Sequence, residues 1–407
     1  MIIATRQKIC SKIYNYKNTF IFEKYKLLLL YLSVSLTIFT YRYIMMWRIP
    51  IDQFYADEKD WFTAASSRNF FQYIVMPDAG YPVPLTRAFF WIVAGVSSDS
   101  ALIIHLFSCL ISGLCVSSLV LIRNLPMTVF KKIVIAFSLG FYQAFDLLLW
   151  HQVNYYLFIP VFIFMISKIS REENLTASKF FYLFLILLIG IGKPQLVLSC
   201  IFILVLSAVK RVSKTRKISV KKIEFILILY LFASIIIGRL SNEALELIIK
   251  PSNLIYALVG LLKVPAIVIF PLYTVTSLGF AKLVNSETIS FLANLIIITI
   301  SLFIYLQFRK SKYNKLSHLS QQLIWNSILG AIPIYLSIFI FINSGWSQNL
   351  FWYNECNSCM LGRHFFGIYF FFLFIFQFFF KSRILVLIPI QFVVINIFSW
   401  EYLNKLF

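Results

Sequence analysis

Apolar runs recur along this chain of 407 residues from Leu27 to Trp400, each close to the ~20 residues that an α-helix needs to cross the hydrocarbon core of a bilayer. In hydrocarbon every backbone amide must find its partner within the chain, so only helices and closed barrels can span. A barrel strand would alternate polar and apolar residues over about ten positions. These runs are continuously apolar, and the expectation is therefore an all-α integral membrane protein.

Composition agrees. Hydrophobic residues make up 60% of the chain and charged residues 13%, with a mean hydropathy of +0.83, against roughly 25% charged residues in an ordinary soluble domain. A net charge of +21 could suggest nucleic acid, but 25 of the 37 Lys and Arg fall in six short segments, 1–26, 123–132, 168–179, 210–222, 309–315 and 381–383. Basic clusters between apolar spans mark cytoplasmic loops. Their sufficient partner is the lipid bilayer with its anionic headgroups, and no nucleic acid is implied.

Placing those clusters inside gives spans near 27–46, 99–122, 133–149, 155–168, 180–192, 195–209, 223–239, 289–307, 322–343, 365–380 and 384–400. Residues 252–280 are an ambiguous element, because Lys263 and Pro265 interrupt the run while both flanks must lie outside. The result is a polytopic bundle of about 11–13 transmembrane helices. Residues 1–26 form a basic cytoplasmic N-terminus, 27–407 a single membrane domain, and the C-terminus lies outside. The run 27–46 is longer than a signal-peptide core and no small-residue cleavage site follows it, so it is expected to be retained. The segment 179–209 breaks at Gly192-Lys193-Pro194-Gln195, which predicts a tight hairpin with its tip outward. Of the six cysteines, only Cys356 and Cys359 could pair. A lone C-x-x-C is compatible with a local disulfide or with two free thiols.

Two outward segments stand out by length, 47–98 and 344–364. The first carries five of the 16 acidic residues, Asp52, Asp57, Glu58, Asp60 and Asp78, among Phe70, Phe71, Tyr73, Tyr81, Phe89, Phe90 and Trp91. Alternating polar and aromatic stretches suit short juxtamembrane helices in the interface. If the acidic stretch is helical, Asp57 and Asp60 share one face. Such a pair could take the proton of an incoming hydroxyl or hold a divalent ion, and it could equally be a hydrated acidic loop.

The order Ala56-Asp57-Glu58, Asp60-Trp61-Phe62, Pro77-Asp78-Ala79-Gly80-Tyr81 and Arg87, soon after a first transmembrane helix, resembles the C-type glycosyltransferase superfamily. Within it, the pattern is similar to the serotype-converting O-antigen glucosyltransferases. The likeness in motifs covers mainly residues 52–91. It implies inverting transfer of a sugar, glucose in that group, from a polyprenyl-phosphate donor to a cell-surface glycan acceptor, at the extracytoplasmic side of a bacterial inner membrane. A flippase would be a natural partner in supplying the donor. By position Asp57 would be the general base, with Glu58 or Asp60 as substitutes, while Asp78 and Tyr81 would shape a sugar or acceptor site unless they are plain turn residues. The leaving phosphate calls for cations, and Arg87, Lys193, Lys263 and the Arg363-His364 pair sit where idle charge is costly; snorkelling is the alternative for each. Relatives differ in their need for a divalent metal, and no complete ligand set can be read from the chain.

A transporter would be expected to show related halves and charges within its helices, whereas here the densest acidic cluster lies in one outer loop. A polysaccharide polymerase or a flippase of lipid-linked sugars handles the same carriers and stays as the alternative. The topology itself is directly testable. An impermeant thiol reagent should label a cysteine placed at Asn69 or Asn349 in intact cells, and one placed at Ser213 only after permeabilisation. Labelling of Ser213 from outside would invert the map.

Overall fold

The computed structural model describes residues 25–47, 58–74, 76–78, 81–82, 84–96, 100–122, 125–142, 153–164, 196, 198–200, 202–203, 254, 316–343, 362–378 and 381–398. These are almost entirely helical. In chain order they form α1 (Tyr25–Met46), α2 (Glu58–Ser67), α3 (Phe70–Ile74), α4 (Pro84–Val96), α5 (Ser100–Leu121), α6 (Val129–Gly140), α7 (Val153–Phe164), α8 (His318–Asn343), α9 (Gly362–Phe376), α10 (Ser382–Leu385) and α11 (Leu387–Phe398). Between α3 and α4, β1 (Pro77–Asp78) pairs antiparallel with β2 (Tyr81–Pro82).

Among the described residues, two helices are long and apolar enough to cross a membrane by length and composition, Tyr25–Met46 and Ala101–Leu121. Shorter apolar stretches cover Pro84–Val96, Leu323–Ile334 and Ser382–Val394. The expected spans 180–192, 223–239 and 289–307 and the element 252–280 lie outside the described residues, apart from the single position 254. Several boundaries differ from expectation. The run 133–149 suggests one span, yet α6 starts at Val129 and ends at Gly140. Its start moves upstream because the Thr128 hydroxyl accepts the Lys131 N–H as an N-cap, satisfying an amide that the first turn would otherwise leave open. At its end Gly140 packs on Ile38 so closely that a methyl there would meet three Ile38 side-chain atoms at 2.7–2.8 Å. Likewise α8 begins at His318, and α9 at Gly362 rather than near Phe365.

Paired contacts give the directions of the helices. A methyl at Gly330 would lie 2.5 Å from the Phe371 ring and one at Gly367 2.6 Å from Ile334, so α8 and α9 run antiparallel, each glycine receiving a side chain of the other. Tyr369 donates to the Ser138 carbonyl at 3.2 Å, while the Lys131 ammonium reaches the Gln377 carbonyl; α6 and α9 are therefore antiparallel too. Met46 meets Cys109 at 3.2 Å, and Gly113 sits against Ser35 and Phe39, making α1 and α5 a third antiparallel pair.

Two ends follow from these directions. At one are the start of α1 with exposed Lys26, the close of α5, the start of α6 with Lys131 and Lys132, and the close of α9, followed by exposed Lys381 and Arg383. At the other are the start of α5, the close of α6, and the starts of α7 and α9. One core joins them, dominated by Tyr155, Tyr156, Phe158, Phe162, Tyr369, Phe370, Phe371 and Phe374.

Among the described glycines, Gly113 makes a close backbone approach, where a Cβ would lie 2.7 Å from the Ser35 carbonyl oxygen. Gly113→Leu must push α1 off α5, and overpacking of this kind costs about 1–3 kcal/mol. Gly95 has nothing within 4 Å of its position, so Gly95→Leu serves as the control. Thermal unfolding in detergent should show a lowered midpoint for the first variant and an unchanged or raised one for the second.

Candidate functional site

The acidic segment folds as α2. Glu58 opens this helix and Asp60 stands in its first turn, where a carboxylate meets the partial positive charge of the helix N-terminus, a contact worth about 0.3–1 kcal/mol for Asp60. Toward its close, Ser66 and Ser67 donate back to the Phe62 and Ala64 carbonyls, and such bonds compete with helix continuation. Asn69 then caps α3 by accepting the Gln72 N–H at 2.9 Å. The chain turns back through the β1–β2 hairpin into α4, which Pro84 opens at a position tolerant of its missing N–H.

Trp61, Ala65, Tyr73, Phe90 and Val93 form a separate apolar cluster that rests on Ile104 of α5 and Val153 of α7. The three loop helices thus cap the end of the bundle opposite the lysines. Inside this cluster lies Arg87, 2% exposed. Its guanidinium carbon is 4.8 Å from the centre of the Trp61 ring and 5.0 Å from that of Tyr73. Trp61 meets Phe90 edge-on at 5.7 Å, and the Tyr73 hydroxyl donates to the Trp61 carbonyl at 2.7 Å. The planar guanidinium can stack on two faces at once, and a desolvated cation–π contact is worth up to about 2 kcal/mol.

The anticipated site residues fall as follows. Asp57 and Lys193 lie outside the described residues, as do Lys263 and the Cys356–Cys359 pair. For Glu58, Asp78, Tyr81, Arg363 and His364 the backbone alone is described. Glu58 opens α2, and Asp78 pairs with Tyr81 across the hairpin, an arrangement that suits turn punctuation. Asp60 is exposed, beside buried Trp61 in α2. Arg87 does not snorkel; it is enclosed. Arg363 and His364 stand in the first turn of α9 rather than in the preceding loop, and this turn lies at the same end of the bundle as α2. Leu196, Cys200 and Ile203, spaced to share a helix face, join the core cluster that contains Phe370 and Phe371, so the segment following Lys193 packs with α9. Among the described residues no three His, Cys, Asp or Glu come together in a way that could hold a metal ion.

Two features were not anticipated from the sequence. Arg42 of α1, 2% exposed, donates to the Tyr156 hydroxyl at 2.6 Å and the Gly140 carbonyl at 3.4 Å, with its guanidinium over the Tyr156 ring at 4.8 Å. Tyr156 is one helical turn beyond Val153, so this knot lies directly beneath the loop cluster. The available signal was a lone arginine inside an apolar run, which marks a site by default. At the opposite end Lys132 donates to the Ile122 carbonyl beyond α5, as Lys131 does to Gln377 beyond α9. These lysines, expected to face headgroups, turn inward onto helix C-termini, where cations are favoured.

Scans against protein-family models, curated proteins and solved structures find no match to this chain.

Proposed function

We propose that this chain is a polytopic membrane glycosyltransferase, which moves a sugar from a polyprenyl-phosphate carrier to a cell-surface glycan on the outer face of a bacterial plasma membrane. The observation that carries this reading is the placement of the acid-bearing helix α2 over the starts of α5 and α7, at the end opposite Lys131, Lys132, Lys381 and Arg383. If basic residues mark the cytoplasmic side, α2 faces outward, where a lipid carrier can present its sugar at headgroup level. Glucose transfer to an O-antigen is the specific form suggested by the motifs of residues 52–91.

In the proposed reaction the Asp57 carboxylate takes the proton of an acceptor hydroxyl, with Glu58 or Asp60 as the substitute. The hydroxyl oxygen bonds to the anomeric carbon from the side opposite the phosphate. The bond between that carbon and the phosphate oxygen breaks, its electron pair leaves with the polyprenyl phosphate, and the configuration inverts. Cations are needed where that charge develops. Lys193 and Arg363 are the candidates, supported by the core cluster that Leu196, Cys200 and Ile203 share with Phe370 and Phe371 of α9 and by the position of the α9 start at the α2 end.

Surface glycan from cells with and without the gene, compared by mass, should differ by one sugar. Asp57→Asn keeps size and removes basicity, and is expected to slow transfer by roughly 10²- to 10⁴-fold. Wild-type rates in Asp57→Asn, Glu58→Gln and Asp60→Asn at equal expression would remove the cluster from the mechanism. Lys193→Ala and Arg363→Ala should each weaken donor use by about 2–5 kcal/mol, with Arg363→Lys restoring only part because a point charge does not replace the guanidinium fork. Normal donor use by both Ala variants would discard the pair.

A further inference from the structure

We infer that Arg87 is a positioning residue, which sets the acid-bearing end of α2 through Trp61 and does not itself grip the donor phosphate; this rests on the transferase reading above. The geometry holds residue 61 twice. Its ring lies against the Arg87 guanidinium at 4.8 Å, and its carbonyl accepts from Tyr73, whose own ring lies 5.0 Å from the same guanidinium. Arg87 therefore ties α2 and α3 to α4 at one point. In the sequence Trp61 directly follows Asp60 and comes three residues after Glu58 and four after Asp57. A rotation or slide of α2 that moved these carboxylates would have to take the indole off the guanidinium.

Burial separates this role from that of a phosphate clamp. At 2% exposure, beneath Trp61 and with Phe90 and Val93 of its own helix buried alongside, the guanidinium faces the inside of the loop cluster, while Asp60 on the same helix as Trp61 is exposed. A phosphate could reach Arg87 only by displacing groups packed round it. A small misplacement of a reacting group can cost about 10²-fold in rate, so a clamp on Trp61, four residues along the chain from the proposed base, would govern turnover without touching substrate.

The test uses the full chain in nanodiscs with a polyprenyl-phosphate sugar donor, rates being taken per folded protein. Arg87→Met removes the charge and keeps an apolar stem; it should lower kcat by about 10- to 100-fold and leave the KM for donor within about twofold. Arg87→Lys keeps a cation near the rings but not the plane that stacks on both, and should recover only part of the loss. In an Asp57→Asn background, Arg87→Met should add nothing, because there is no longer a base to misplace. Hydrogen exchange of residues 58–67 should be faster in Arg87→Met than in the wild type or Arg87→Lys. A KM raised tenfold with kcat unchanged would make Arg87 a donor contact and overturn the inference, as would an additive loss in the Asp57→Asn background. Should all three carboxylate variants transfer at wild-type rates, the transferase reading of the cluster itself fails. Unchanged exchange in Arg87→Met would then, independently of any activity, dispose of the clamp.

Discussion

A cation taken out of water must be met by groups that replace its hydration, or it costs several kcal/mol. Among the described residues Arg42, Arg87 and Lys132 are buried and Lys131 is half-buried, in a core that is mostly aromatic and aliphatic. Each finds at least one partner on an element other than its own. Arg42 joins α1 to the close of α6 and to α7, Arg87 joins α4 to α2 and α3, and the two lysines join α6 to the ends of α5 and α9. Apolar packing is non-directional and tolerates sliding between smooth aromatic faces. The cations do not, since each has a small number of partners, carbonyls, a hydroxyl or rings, at fixed places, and the register of the helices follows from theirs.

The two ends of the bundle meet this requirement with different chemistry. Lysine ammoniums take backbone carbonyls beyond helix C-termini, while both arginines lie over aromatic rings. That division suits the residues: an ammonium is a compact, strongly hydrated point charge that needs oxygen, whereas a guanidinium is weakly hydrated along its faces and stacks. It also leaves the carbonyl-capped end with its backbone polarity satisfied and the other end with a lid of three short helices held mainly by ring contacts. Trp91 extends that lid, packing edge-on to Phe70 at 5.2 Å and donating to the Arg68 carbonyl.

The helical character of the chain was legible because continuous apolar runs and hydrocarbon length leave few alternatives, and the short helices of the first long loop followed from its alternating pattern. Boundaries were less legible. A cap such as Thr128, or a close contact such as that of Gly140 with Ile38, moves a helix end by several residues without changing the hydropathy that defines the run. The buried cations were least legible of all. One arginine among twenty apolar residues barely alters a hydropathy average, and whether Arg87 meets water, phosphate or an indole depends on which helix folds over it. Lys131 and Lys132 read as surface topology markers since nothing local to them reveals that two distant helix ends stop within reach. For the candidate site, the position of Asp60 could be compared with its expectation, while Asp57 and Lys193 lie outside the described residues.

The lysine caps also impose an order on synthesis. Lys132 reaches a carbonyl only 10 residues behind it, whereas Lys131 waits for one 246 residues ahead. At about 5–20 residues per second, the second carbonyl emerges from the ribosome tens of seconds after its lysine. Through that interval Lys131 must keep water, a headgroup or a chaperone as its partner, and α6 cannot settle against α9 until the final third of the chain exists. The α5–α6 hairpin is thus complete early, and closure of the bundle is a late, long-range event, set by when one ammonium exchanges a temporary partner for a permanent one.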